Sequence, residues 1–178
     1  MRIHLDPGQS PAAWLHCIFD AVDPKAHGDL GQHLIEAKLA VTRQSEGYAN
    51  PCPNDMLVAA HVPNGARRGD SVFVFTTGCR NDAALSVRRC HRMLRRRLHP
   101  VLVSPERALV RVRHYAEFLR IERSISLLSM EDFFSANVFL LAGKLHEPPI
   151  DTASRIVNEL NTRLAGAGMG ASLMIELV

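Results

Sequence analysis

Residues 70–105, DSVFVFTTGCRNDAALSVRRCHRMLRRRLHPVLVSP, change periodicity twice. The two ends, SVFVFTT and HPVLVSP, are short apolar runs rich in β-branched and aromatic residues, as strands are. HPVLVSP is continuous enough in its apolar character to read as a buried parallel strand. Between them Ala83, Val87, Cys90, Leu94 and Leu98 recur at intervals of three and four, the seam of one amphipathic helix. Strand, helix, strand in this order predicts an α/β fold.

The helix in the middle carries seven arginines, Arg80, Arg88, Arg89, Arg92, Arg95, Arg96 and Arg97, against one acid, Asp82. Arg88, Arg89, Arg92, Arg95 and Arg96 cluster opposite the apolar seam. Such a helix can dock on its own domain and still meet a polyanion. Arginine suits that task because its planar fork offers two donors to a phosphate and never loses its charge. These five are the candidate DNA-binding residues. The bland alternative is a solvated helix face in an arginine-rich chain, since eighteen arginines stand against three lysines.

Upstream, Ser10-Pro11 caps a helix PAAWLHCIFDAV, in which Trp14 packs with Leu15, Ile18 and Phe19. A second helix is expected from Asp29 to Arg43, with Leu30, Leu34, Ala37 and Val41 in register. DMLVAAHV (55–62) and DSVFVFTTG (70–78) read as strands, and Asn64-Gly65 between them favours a hairpin turn. Downstream come a helix in PERALVRVRHYAEFLR, a strand at 124–129, and a helix in MEDFFSANVFLLAG. Another helix, capped by Asp151 or Thr152, buries Ala153, Ile156, Leu160 and Leu164, and ASLMIELV closes the chain as an edge strand. A hairpin followed by strand–helix alternation predicts a mixed central sheet with helices on both faces, two of its connections being right-handed crossovers.

With 178 residues, residues 1–178 are expected to form a single domain. The formal charge of +3 is mild, so any cationic surface is local. No apolar run reaches about 18 residues, so no membrane span is expected. MRIHLDPGQSP is unlike a signal peptide. Cys17, Cys52, Cys79 and Cys90 are spaced irregularly, which suits reduced thiols in the cytoplasm rather than a disulfide framework or a zinc knuckle. His91 and His99 flank basic residues and read as surface groups. His61 lies too far along its strand from Asp55 to share an ion with it. Aromatics make up 6%, which counts against a stacking platform for single strands.

LDPGQS (5–10), QHLIEAKL (32–39), RRGDSVFVFTT (67–77), HPVLVSPERAL (99–109), ISLLSMEDFFSANVFLLAG (125–143) and SLMIELV (172–178) together resemble a family of bacterial proteins from restriction–modification loci. Members carry a C-terminal domain of restriction-endonuclease type, the PD-(D/E)XK fold. The resemblance runs over nearly the whole chain, and the order and spacing of the phrases carry it. Longer members have a further N-terminal region, so the resemblance implies a split or trimmed version here. It also implies a restriction-endonuclease-like core, Mg²⁺ as cofactor and double-stranded DNA as partner.

In that fold an acid on the first core helix, an Asp opening a hairpin strand and a (D/E)-x-K on the next strand hold the ion. The metal then helps a water attack the phosphodiester. By this pattern Glu36 and Asp55 are the candidate metal ligands, and Asp70 the candidate third catalytic group. SVFVFTT holds neither carboxylate nor lysine, so the (D/E)-x-K is absent. The family often reads His-Val-Thr on this strand, where Val74, Phe75 and Thr76 stand. Each acid also has an ordinary reading: Glu36 as a surface partner of Lys38 or Arg43, Asp55 as a turn residue, Asp70 as a turn acid beside Arg67 and Arg68.

Three functions follow as expectations. The first is a DNA-binding, nuclease-fold component of a restriction or phage-defence system, with a degenerate active site, working beside a catalytic partner or as a homodimer. The second is an active Mg²⁺-dependent endonuclease. The third is a structural subunit whose arginines meet an acidic protein.

Overall fold

The computed structural model describes residues 1–45, 56–58, 66–135, 138–169 and 173–178. In chain order its first elements are β1 (Arg2–Leu5), α1 (Pro11–Ala21), α2 (His27–Ser45), β2 (Met56–Val58), β3 (Ser71–Phe75) and α3 (Arg80–Arg95). Then come β4 (His99–Ser104), α4 (Leu109–Phe118), β5 (Ser126–Ser129), α5 (Met130–Ser135), α6 (Val138–Leu145), α7 (Pro149–Gly166) and β6 (Met174–Leu177). The class is α/β. The chain divides into two compact units, Met1–Pro51 with Phe134–Val178, and Cys52–Phe133.

In the first unit β1 and β6 pair in parallel, Arg2 beside Met174 through Leu5 beside Leu177. Ser10 caps α1 as its sequence predicts, its Oγ accepting the Ala13 N–H at 3.3 Å. Trp14 is buried and its indole N–H donates to the Asp6 carbonyl at 2.7 Å. α2 packs against α7 through Leu30, Leu34, Ile156, Leu160 and Leu164, all buried. α7 starts at Pro149, one turn earlier than a cap at Asp151 or Thr152 would allow. A proline loses nothing at a first helical position, where its missing N–H would have had no partner. Thr152 instead lies buried inside the first turn, its hydroxyl donating to Glu147 at 2.8 Å.

The second unit is a four-stranded sheet in the order β2-β3-β4-β5. The expected hairpin is corrected here: β2 runs parallel to β3, Met56 beside Ser71. A two-residue turn cannot close a parallel pair, which needs a connection of about a dozen residues. Residues 59–70 supply that length, and Asn64-Gly65 lies outside the described residues. The expected mixed sheet is likewise corrected, because every pairing among the described strands is parallel. A helix after β3 and another after β4 return the chain to the same end of the sheet each time.

Strands in sequential order, joined by crossovers of one hand, place both helices on one face. α3 and α4 accordingly pack together. Val72, Val74 and Leu102 of the sheet meet Ala83, Val87 and Cys90 of α3 and Val112 and Ala116 of α4 in one core. Each fully buried Val or Leu there stabilises the unit by roughly 1.5–3 kcal/mol. On the other face Phe73 meets Phe133 of α5, their ring centroids 5.8 Å apart. The sheet therefore has helical residues against both faces.

Candidate nucleic-acid interface

α3 forms with Ala83, Val87 and Cys90 of the expected seam buried, but it ends at Arg95, so Leu98 lies beyond it, and Leu94 is half-buried. Ala83, Ser86, Val87, Cys90 and Met93 are buried, and burial pushes the Cys90 thiol up to about 12, so that sulfur stays protonated. Opposite them Arg88, Arg92, Arg95 and Arg96 are exposed, and Arg89 is half-buried. None of these five guanidinium groups has an ion-pair or hydrogen-bond partner among the described residues. The predicted cationic face is thus not consumed by internal salt bridges.

The helix ends where the arginines are densest. Leu98 N–H donates to the Met93 carbonyl at 3.1 Å and Arg97 N–H to the Leu94 carbonyl at 2.8 Å, the paired bonds of a Schellman cap. That cap puts Arg97 at φ 60, a left-handed conformation that glycine usually fills. α4 ends the same way. Ile121 N–H donates to Ala116 at 2.9 Å, Arg120 N–H to Glu117 at 2.8 Å, and Arg120 sits at φ 56. A non-glycine residue in this region costs about 1–2 kcal/mol.

Both caps lie at the amino edge of the sheet, where α3 feeds β4 and α4 feeds β5. The turn before β3 joins them. Gly69 N–H donates to the Arg97 carbonyl at 2.9 Å, and His99 N–H donates to the Asp70 carbonyl at 2.8 Å. His99 Nε2 lies 3.1 Å from Ser126 Oγ, tying β4 to β5 at the same edge. Parallel register therefore gathers Arg67, Arg68, Arg95, Arg96, Arg97, Arg120 and Arg123, all exposed, from three separate connections. Two helix C-termini contribute only about half a negative charge each, so seven arginines leave a large positive excess. The acids nearby, Asp70 and Glu122, are too few to offset more than part of it. Asp70 is 7% exposed and accepts the Arg67 N–H at 2.7 Å, while one oxygen of Glu122 is buried.

The carboxyl edge is different. Asp82, in the first turn of α3, accepts the Thr76 hydroxyl at 2.8 Å, the Thr77 N–H at 2.6 Å and the Thr77 hydroxyl at 2.9 Å. Gly78 sits at φ 76, where a Cβ would overlap that of Ala108, and its carbonyl accepts Arg111 at 2.6 Å. Ser104 Oγ donates to the Pro105 carbonyl at 3.2 Å, and Ser129 Oγ accepts the Asp132 N–H at 2.9 Å. These side chains close the strand ends onto themselves.

Of the candidate metal ligands, only Glu36 falls among the described residues. Glu36 sits on α2, where one oxygen takes Arg163 at 3.0 Å with His33 at 3.5 Å, and the other accepts Gln32 at 3.1 Å. Arg163 also holds Glu159 at 2.8 Å, so Glu36 is half of a clip between α2 and α7. Besides Gln32 and His33 on its own helix, its charged partner is Arg163 of α7 rather than Lys38. Lys38 is buried, which pulls its amine down to about 8. Asp70 closes a turn in the other unit, and Asp55 lies outside the described residues. Glu36 and Asp70 each accept hydrogen bonds inside the protein, and no group of three His, Cys, Asp or Glu side chains converges among the described residues.

Sequence reasoning found the α3 face and missed the edge. Arg67, Arg68, Arg97, Arg120 and Arg123 join it only through strand register, and the one local sign, an arginine following each helix, is a weak one. Asp82 was also missed, although an acid in the first turn behind two threonines is a capping pattern. Among the described residues no helix is long and apolar enough to cross a membrane. No family model, no curated protein and no solved structure matches this chain.

Proposed function

We propose that this chain binds double-stranded DNA through its phosphates, as a component of a bacterial restriction or phage-defence system. In this reading it is related to restriction-endonuclease-like domains, has a degenerate catalytic centre, and works in the cytoplasm with a catalytic protein partner or a second copy of itself. The observation that carries DNA binding is the unpartnered arginine surface of α3 and the amino edge. Kinship with the nuclease-type domains is supported by the ordered sequence phrases alone, since the parallel β2–β3 pair differs from the hairpin that kinship implies. Loss of catalysis is supported by the missing (D/E)-x-K and by Glu36 and Asp70 being bound up internally.

Phosphate-driven binding has a signature. Each neutralised phosphate releases condensed counterions, so affinity falls with salt at a log–log slope of about −0.9 per contact. Fluorescence anisotropy with a labelled duplex, titrated across salt, should give a slope near −5 for about six contacts. Affinity should be insensitive to sequence, because phosphate contacts position without specifying. Absence of binding at low salt would sink the proposal. Plasmid incubated with the protein and Mg²⁺ or Mn²⁺ should stay intact, and cleavage lost in Asp55→Ala would instead revive an active endonuclease.

A further inference from the structure

Where α3 and α4 lie side by side, a groove of about 200 Å³ opens on their outer surface, lined by Ala84, Arg88, His114, Tyr115, Phe118 and Leu119. It is smaller than the roughly 300–1,000 Å³ pockets that enclose drug-sized ligands, and better matched to one flat ring system. Phe118 at its rim is 80% exposed. A phenylalanine left in water on the last turn of a helix contributes little to its own fold. His114 and Tyr115 stand beside it, ring centroids 6.4 Å apart. No carboxylate is among the described residues that line the groove. Arg88 forms one lip, and Arg92 and Arg95 continue from it down the same helix, one turn apart.

From this juxtaposition we infer that the groove takes one unpaired nucleobase, stacked on Phe118 and Tyr115, while the flanking phosphates run along Arg88, Arg92 and Arg95. The inference deepens the DNA-binding reading and rests on it. Aromatic faces accept any base because every base has a π-face, and a cationic track supplies the backbone contacts. The 6% aromatic content counts against a stacking platform by number, yet α4 gathers three ring-bearing side chains, His114, Tyr115 and Phe118, within five residues beside the cationic face. Charge decides between occupants. An apolar peptide would gain from Phe118 and Leu119 but would leave Arg88 and its neighbours unmatched.

The test compares three labelled probes of equal length against the full chain at one salt concentration: a paired duplex, the same duplex with one central bulged 2-aminopurine, and a single strand containing 2-aminopurine. The bulged and single-stranded probes should bind about tenfold more tightly than the paired duplex, with their 2-aminopurine fluorescence quenched by stacking. Phe118→Ala and Tyr115→Ala should erase that preference and the quenching while leaving paired-duplex affinity unchanged. Phe118→Trp should retain both, and the exposure of Phe118 makes its alanine variant fold. If the paired duplex binds but the unpaired probes gain nothing, or Phe118→Ala leaves the preference intact, this inference falls alone. If no probe binds, the DNA-binding reading falls with it. Binding of unpaired probes with no duplex affinity would keep the groove and remove the duplex.

Discussion

At the carboxyl edge of the β2–β5 sheet, Thr76, Ser104 and Ser129 are buried, and each hydroxyl finds a partner inside the protein. At the amino edge, seven exposed arginines reach the surface without one. Open α/β sheets usually receive ligands beyond the carboxyl ends of their strands. Here that edge uses its polar groups to lock the strand–helix connections, and the opposite edge leaves its arginines exposed. The difference teaches that two edges of one sheet can differ in whether their polar groups are satisfied internally, and that topology alone does not fix which. A buried hydroxyl without its partner would cost about 1–3 kcal/mol, so the carboxyl edge has little freedom to do anything else.

The sharpest break in this contrast is Gly78→Ala. Its Cβ would overlap Ala108 at a backbone φ of 76, so stability should fall by about 3 kcal/mol or more in urea denaturation. The fraction that stays folded should bind duplex DNA as before. Next in size is Arg92→Glu with Arg96→Glu, expected to lower duplex affinity about 100-fold at low salt and flatten the salt slope by about two. Equal affinity in that double variant would take the cationic surface out of the account.

A smaller effect of opposite sign separates strain from charge. Arg97→Gly and Arg120→Gly each relieve a left-handed arginine, so each should raise stability by about 1 kcal/mol while weakening duplex binding a few-fold. Loss of stability would mean that those side chains support the fold. The smallest expected change is none. Cys79 is exposed beside the carboxyl edge and Cys90 is buried, so in a Cys17→Ser, Cys52→Ser background maleimide should label only Cys79. That label should leave duplex affinity untouched, and a labelled protein that no longer binds would place DNA at the wrong edge.

Local periodicity made much of the second unit legible before any coordinates. The seam of α3, the apolar run of β4 and the crossover order are short-range patterns, and they appear as expected. What failed was direction. Asn64-Gly65 is a turn signal, but a turn signal says nothing about which end of the next strand meets the last. β1 was unread because RIHL is four residues long and its partner, β6, lies at the other end of the chain. The same distance hid the Glu36–Arg163 clip, 127 residues apart in sequence. The α3 half of the candidate interface was legible for the reason α3 was. The amino-edge half was not, because three connections far apart in sequence become neighbours only through hydrogen bonding between β3, β4 and β5.

That hydrogen bonding turns the amino edge into a ruler. Adjacent strands stand about 4.8 Å apart, so the three arginine-bearing connections repeat at a pitch set by the backbone and span roughly 10 Å. Phosphates follow one another every 3.4 Å or so of axis along each strand of B-DNA. A lone anion would satisfy one connection and leave two idle, whereas on the proposed reading a chain of anions would engage all three at once. Swapping individual side chains changes how many marks the ruler carries and leaves the distance between them fixed.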